Sequence, residues 1–309
     1  MNTAKHETRV QNFYGTGIDG YHEYHNGYLN FGYWTVPGMR YEEAAENLIR
    51  LAGNTLKLRS TSCLLDVGCD MGAQDVFLAK AFRPYSIDAV DLTEKHVVRA
   101  KERARRYGVD SIKLRFCQAS GTDLPFPDEY FTHALSVEAP EHFDTREDFF
   151  DEAYRVLAPG GILTCTDYSL GREPKNILER ALVEITRRLW HVPRANVYGN
   201  AMFKEKLHSA GFTDVFIQDI SASVIPGYYF EHRRWESMRE MMKIRGLWKG
   251  VIAGFLIDWA VYTAYQTGLC EYILLRAEKP KEEKIFRPPS PTGGGGYYTY
   301  NCLARFMIV

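Results

Sequence analysis

The chain has 309 residues, of which 45% are hydrophobic and 25% charged, with a formal net charge of -1. That length and balance suit one large globular domain with insertions, and a near-zero charge offers no basic field for a nucleic acid. Six cysteines, Cys63, Cys69, Cys117, Cys165, Cys270 and Cys302, form no CxxC pair, so reduced thiols and a cytoplasmic setting are expected.

The N-terminal stretch MNTAKHETRVQNFYG is polar and lacks an apolar signal core. The following residues are rich in aromatics: Tyr14, Tyr21, Tyr24 and Tyr28, with His22 and His25 among them. Their spacing has no metal-ligand support. They read as an aromatic lid over a site or as an interfacial packing surface.

From residue 62 short apolar runs alternate with amphipathic stretches. CLLDV (63–67) reads as a buried strand, AQDVFLAKAF (73–82) as a helix and SIDAVDL (86–92) as a strand. A helix is expected over 94–108, stopped by Gly108, and a strand over 112–118. Then come a strand (131–137), a helix (146–157), a strand (161–169), a helix (202–212) and strands at 214–220 and 271–277. Alternation of this kind predicts βαβ units in a doubly wound, mainly parallel α/β sheet. Its ligands bind beyond the carboxyl ends of the strands, where the winding reverses.

Residues 1–60, 171–200 and 221–268 fall outside the alternation and are expected to cover the strand ends: 1–60 as a helical lid, the other two as cap insertions in a 61–278 domain. The run from Val251 to Ala277 is apolar, but Asp258, Gln266 and Glu271 interrupt it, so a buried helix and a strand are favoured over a membrane span. LWHV (189–192) and the apolar helix near 251–265 are candidates for an acceptor wall, and the same faces would serve core packing or a homodimer contact. The tail from Lys279 is charged, then Pro-rich, then a glycine run, which predicts flexibility.

The most informative stretch is LLDVGCDMGAQD (64–75). A strand ending in a glycine turn that opens a helix is a nucleotide-type site: glycines permit tight backbone angles, and helix N-terminal amides favour an anionic group. Asp91, 25 residues after Asp66, closes the next strand, where an acid accepts both hydroxyls of a ribose. A dinucleotide would want GxGxxG; here Asp66 and Asp70 would repel its phosphates, whereas Asp66 suits a ligand carrying an ammonium group. S-adenosylmethionine has both the ammonium and the adenosine. A dehydrogenase using NAD is the alternative that NADH titration excludes.

Together the turn, VDLTEKHV, ASGTDLPFPDEYFTHALSVEAPEHF, RVLAPGGIL and the N-terminal GYLNFGYW resemble class I S-adenosylmethionine-dependent methyltransferases. The similarity is to the small-molecule branch, the O-methyltransferases of macrolide and deoxysugar tailoring, over about 24–220 plus the final strand. The resemblance implies a Rossmann-like seven-stranded sheet with its last strand antiparallel. It implies that Asp66, Gly68 and Gly72 surround the methionine part, with Gln74 and Tyr33 near its carboxylate. Asp91 would hold the ribose, Leu92 pack near the adenine, Ser120 and Gly121 border the adenine edge, and Val137 and Glu138 face the sulfonium. Asp70 stands where the family usually has glycine; aspartate tolerates the left-handed conformation.

A hydroxyl acceptor must lose a proton, and His142 in EAPEHF is the candidate base, with Asp167 in TCTDY orienting it as the resemblance suggests. Glu138 and Glu141 are alternative bases. The expected reaction is O-methyl transfer to a small, fairly apolar metabolite, with no metal. The rivals are C- or N-methylation of a prenyl, terpenoid or amine acceptor, and a scaffold or cyclase that binds the cofactor without transferring methyl.

Overall fold

The computed structural model describes residues 3–15, 25–109 and 111–281. Seven strands form one sheet: β1 (Cys63–Val67), β2 (Ser86–Asp91), β3 (Leu114–Gln118), β4 (Phe131–Val137), β5 (Leu157–Leu170), β6 (Thr213–Asp219) and β7 (Cys270–Glu278). Their order is β3-β2-β1-β4-β5-β7-β6. β1 through β5 pair in parallel, and β7 runs antiparallel to both β5 and β6. The expected architecture, antiparallel last strand included, is the observed one.

The central strands are apolar along their length because both faces are covered. All five residues of β1 are buried, and its alternating side chains serve two cores: Leu64 packs with Leu48, Ile49 and Ile87 on one face, and Leu65 with Phe131, Phe149 and Leu163 on the other. The winding reverses between β1 and β4, and the crevice this opens at the strands' carboxyl ends is where the turn 68–72 lies.

In chain order the helices are α1 (Thr3–Gly15), α2 (Tyr41–Thr55), α3 (Ala73–Ala81), α4 (Glu94–Arg106), α5 (Arg146–Val156), α6 (Ile177–Leu189), α7 (Asn200–Ser209), α8 (Ser221–Glu231), α9 (Trp235–Gly246) and α10 (Ala253–Gln266). Thr145 and Asp148 form a reciprocal capping box that starts α5. β5 begins four residues before its expected start at 161, because α5 runs straight into it at Leu157, which pairs with Phe131.

The three segments outside the alternation are helical. Residues 1–60 supply α1 and α2, 171–200 supply α6, and 221–268 supply α8, α9, a π-helical turn (Leu247–Ile252) and α10. α10 packs on α6, α8 and β7. The apolar run 251–277 is thus a 14-residue helix, a turn and a strand. Among the described residues no helix is long and apolar enough to cross a membrane. Five cysteines, Cys63, Cys69, Cys117, Cys165 and Cys270, are free thiols. Cys302 and nearly all of the tail, from residue 282, lie outside the described residues.

Candidate active site

The carboxyl ends of β1, β2 and β4 open into a cavity of about 410 Å³, within the range of small-molecule sites. α1 supplies Glu7, Val10, Phe13 and Tyr14 to its wall, and the cap helices supply Tyr228, His232, Met241, Ile257 and Asp258. Of the sequence candidates, Gly68, Gln74, Asp91, Leu92, Ser120, Gly121, Val137, Glu138 and His142 line it together; Tyr33, Asp66, Gly72 and Asp167 do not.

The turn after β1 is tied to β2, since Gly68 N and Cys69 N both donate to Val90 O. Gly68 has φ 82°, and a Cβ there would sit 2.4 Å from Ala139 Cβ, so only glycine lets β1 and β4 loops approach this closely. Asp70 has φ 51°: it takes the left-handed position expected of a glycine. Its N–H donates to Asp91 Oδ2 at 3.0 Å, and Thr93 N donates to Asp91 Oδ1 at 2.8 Å. The Asp91 carboxylate is therefore fixed at the cavity edge; Oδ1 is also met by His96 Nδ1 at 3.2 Å, and Oδ2 retains a lone pair for a ligand hydroxyl.

Gly72 needs correction. A Cβ there would strike Ala100 Cβ at 2.8 Å, so this glycine lets α3 pack closely on α4, and it lies outside the cavity wall. Asp66 is also displaced from its expected role. It is fully buried behind Gln74, whose Nε2 donates to Asp66 Oδ2 at 2.6 Å. Burial pushes Asp66 up to about 6, and burial plus the charge of Asp66 holds Asp75 well above its usual range. With Nε2 engaged, the amide oxygen of Gln74 is the acceptor left for a cationic ligand. Tyr33 donates its backbone N–H to Ala44 O and packs against the core.

Ser120 donates to Glu7 Oε1 at 2.6 Å, and Gln11 Nε2 donates to Leu92 O, so α1 is stitched across this end of the cavity. His96 was not among the sequence candidates. Its Nδ1 lies 3.2 Å from both Asp70 Oδ1 and Asp91 Oδ1. Burial lowers its pKa, but the hydrogen bond to Asp91 and the charges of Asp70 and Asp91 outweigh that and raise it to about 9. The signal was available: an N-terminal helical residue five places after the strand-ending acid.

At the other end, Glu138 accepts hydrogen bonds from Phe31 N at 2.8 Å and Tyr272 Oη at 2.5 Å. Burial nevertheless raises it to about 8. His142 lies on a 3₁₀ turn (Pro140–His142) and is buried. Its Nε2 and Tyr14 Oη are hydrogen-bonded at 2.7 Å. Burial, and then the positive fields of His191, His6 and Arg146, drive it down to about 3, so it is neutral at pH 7. Beside it, burial holds Glu141 well above the usual carboxylate range, with Asp167 and Glu138 adding to the shift.

Asp167 does not orient His142. Both its oxygens are taken by Arg146, from Nε at 2.8 Å and Nη2 at 2.7 Å, and Tyr168 N donates to it as well. Arg146 is fully buried between the rings of Tyr198 and Phe203. A buried guanidinium needs a carboxylate there, and that requirement claims Asp167. A different histidine–aspartate pair faces the cavity from the cap: His232 Nδ1 and Asp258 Oδ2 are 2.8 Å apart. Twenty-six residues separate these partners, with α9 and the π-helical turn between them, and no spacing in the sequence announces them.

Tyr14 and Tyr28 of the aromatic stretch line the cavity, while His25 is buried against the Tyr41 ring. Tyr21, His22 and Tyr24 lie outside the described residues. Leu189, Trp190, Gly254 and Ile257 do form cavity wall.

Comparison with known proteins gives one consistent family. A methyltransferase domain matches residues 65–165. The chain is 34% identical to erythromycin 3''-O-methyltransferase of Saccharopolyspora erythraea over 64% of this chain and 66% of that one. It is 30% identical to 27-O-demethylrifamycin SV methyltransferase of Amycolatopsis mediterranei, over 82% of this chain and 90% of that one. Among solved structures, geranyl diphosphate methyltransferase superposes with a TM-score of 0.72 at 15% identity, covering 89% of this chain and 99% of that one. The cyclase SpnF superposes with a TM-score of 0.71 at 23% identity, covering 89% of this chain and 97% of that one. At these identities the two structures speak for the fold.

Proposed function

This chain belongs to the S-adenosylmethionine-dependent methyltransferases, and from that premise we propose that it methylates a hydroxyl oxygen of a small, fairly apolar natural product or lipid-like metabolite. Bound S-adenosylmethionine supplies a methyl group already activated on a cationic sulfur.

The residues present fit that cofactor. Asp91 is a fixed acceptor for the ribose hydroxyls, Leu92 and Gly121 offer apolar, close-packed surface for the adenine, and Gln74 meets the ammonium in place of Asp66. Glu138, on the cavity wall, would face the sulfonium, whose charge would favour the ionised carboxylate.

The single observation that carries O-transfer is the pairing of buried, neutral His142 with Tyr14 at 2.7 Å over the acceptor end. A base this weak cannot deprotonate an alcohol in advance. It can accept the proton late and through Tyr14, which passes its own hydroxyl proton to His142 Nε2 as it takes the acceptor's, because the oxygen becomes strongly acidic as the new C–O bond forms. Alignment by the pocket then carries most of the acceleration, with proton transfer to His142 adding to it. Aromatic walls from Phe31, Trp190 and Tyr228 hold an apolar acceptor. The named relatives, including a fatty-acid O-methyltransferase of Mycolicibacterium smegmatis, support oxygen as the atom methylated.

A second reading of the proton's destination rests on the His232–Asp258 pair, where Asp258 stabilises an imidazolium as the carboxylate of a catalytic triad does. Of residues 1–60, α1 acts as the lid in this proposal while α2 packs in the sheet core; the free thiols favour the cytoplasm, and the exposed Ile177 and Leu178 of α6 are the place for a homodimer contact. The test is release of S-adenosylhomocysteine with a panel of hydroxylated polyketides, glycosides and fatty acids, each beside its O-blocked counterpart. Equal release from blocked and free acceptors defeats O-transfer.

A further inference from the structure

The chain has five tryptophans. Trp34 and Trp190 pack against the core, whereas Trp235, Trp248 and Trp259, all in the cap, are 63%, 74% and 53% exposed. Each has exposed apolar company. Trp235 shares one side of α9 with Met242, two turns further on, and Trp259 shares one side of α10 with Leu256. Between these helices the π-helical turn exposes Leu247 beside Trp248 and packs on both of them. At the end of α8, exposed Phe230 meets the Tyr262 ring edge-on and the Arg233 guanidinium lies over Phe255, which joins α8 to α10.

Exposed apolar surface spread over successive elements marks an interaction site, and here the composition selects the partner. Tryptophan favours the boundary between hydrocarbon and water, where its ring and its N–H are both served. The same stretch is basic: residues 233–249 hold six lysines and arginines against two glutamates, a local charge of +4 in a chain whose total is -1. Glu240 serves both Arg239 and Lys243, so the acids do not cancel the cations. Tryptophans flanked by surplus cations fit an anionic bilayer surface. α10 has 14 residues, whereas a span takes about 20, so this surface lies on a bilayer and does not cross it. The inner side of the same helices is cavity wall, through Met241 of α9 and Gly254 and Ile257 of α10.

We propose that the outer face of α9, the π-helical turn and α10 docks on an anionic lipid bilayer, with Trp248, Leu256 and Trp259 entering the interface and Arg239 and Lys243 meeting the headgroups. Docking rests on this surface alone. That a docked chain takes a lipid-dissolved acceptor into the cavity behind α10 rests on the methyl-transfer reading. The cytoplasmic leaflet is the anionic one, which agrees with the setting that the free thiols favour.

The test is co-sedimentation of the whole chain with two kinds of vesicle, pure phosphatidylcholine and phosphatidylcholine with one quarter phosphatidylglycerol. Tighter binding to the anionic vesicles is expected. Trp248→Ala and Trp259→Ala should each weaken it by about tenfold, the loss of one half-inserted ring. Arg239→Gln combined with Lys243→Gln should weaken it by about thirtyfold and leave binding to the neutral vesicles unchanged. None of these variants should change affinity for S-adenosylhomocysteine in calorimetry, which also reports that they are folded. Binding to neither vesicle, equal binding to both, or binding unaffected by both tryptophan variants overturns the proposal. So does a dimer that the tryptophan variants dissociate in a chain that ignores vesicles, which would assign the face to a second copy. Vesicle binding with the expected losses, in a protein that methylates no oxygen of any panel member, upholds docking and sinks O-transfer instead.

Discussion

The floor of the main cavity and its roof are built by different forces. The floor, at the ends of β1, β2 and β4, is fixed by backbone hydrogen bonds: Gly68 and Cys69 to Val90, Asp70 and Thr93 to Asp91. The roof is fixed by ring packing. Phe31 stacks on Tyr228 with centroids 3.8 Å apart, Tyr229 on Tyr262 at 4.0 Å, and Tyr14 meets His142 edge-on. Backbone geometry holds a donor or acceptor to a few tenths of an ångström whatever side chains surround it. Ring packing shapes a surface that changes with each substitution. A shared cofactor suits the first kind of construction and a variable acceptor the second.

The sharpest way to break this comparison is at Asp91. Its carboxylate is the floor's fixed acceptor, so Asp91→Ala should cut S-adenosylmethionine affinity by about 10²-fold, the loss of one charge-assisted hydrogen bond at about 1.5–3 kcal/mol. Calorimetry measures this directly. An affinity within tenfold of the parent would show that the floor does not hold the ribose there.

A roof-side substitution should do the reverse. His142→Ala is expected to lower kcat by about 10²-fold, the low end for proton transfer because the base is weak, while cofactor affinity stays put. His232→Ala made alongside it separates the two proton acceptors: whichever variant loses kcat, with acceptor KM little changed, carries the proton. Full activity in His142→Ala would remove its base role.

Glu138 sits where floor meets roof and is a test of the charge that each side sees. Its folded pKa of about 8 lies above the usual carboxylate value, so the stability linked to its proton is complete below about pH 4.5 and is lost as pH rises through about 8. A cationic ligand favours the ionised form. Affinity for S-adenosylmethionine should therefore rise with pH, by about tenfold between pH 6.5 and 8.5, with a proton released on binding. Glu138→Gln should flatten that profile. Calorimetry in buffers of different ionisation enthalpy counts the proton, and an unchanged profile in the variant would assign the linkage elsewhere, with Asp66 next in line.

The same division explains what could be read from sequence. The sheet was legible because doubly covered strands write continuous apolar runs, and CLLDV and FTHALSV were placed to the residue. That Asp91 and Gly68 would lie on the cavity wall was legible because a turn between strand and helix constrains residue type locally. Asp66 was placed on the right strand but is off the cavity wall: strand position does not tell which way a buried acid turns, and its Oδ2 accepts from Gln74, which does line the cavity. Asp167 went to Arg146, a partner 21 residues away whose need for a counter-charge appears only once it is buried. His232 and Asp258 meet only when the cap folds, so no local pattern recorded them.

The smallest effect belongs to Asp70, at a turn position where a glycine was expected. Asp70 occupies a left-handed position, where glycine is relaxed and aspartate is mildly strained, so Asp70→Gly removes strain. It also removes the carboxylate 3.2 Å from His96 Nδ1 and frees the unfolded chain, which costs stability. These oppose one another, and the net change in stability should stay within about 1 kcal/mol. Asp91 keeps its hydrogen bond from the backbone N–H of residue 70, which any residue supplies, so cofactor affinity at neutral pH should move by less than about threefold, under about 0.7 kcal/mol. The local electrostatics should respond more clearly. His96 is held at about 9 by Asp91 and Asp70 acting against burial, and with Asp70 gone its titration midpoint falls. NMR of the His96 ring across pH 6 to 10 reads that shift, and a midpoint unmoved in Asp70→Gly would mean that Asp91 alone keeps the imidazolium charged.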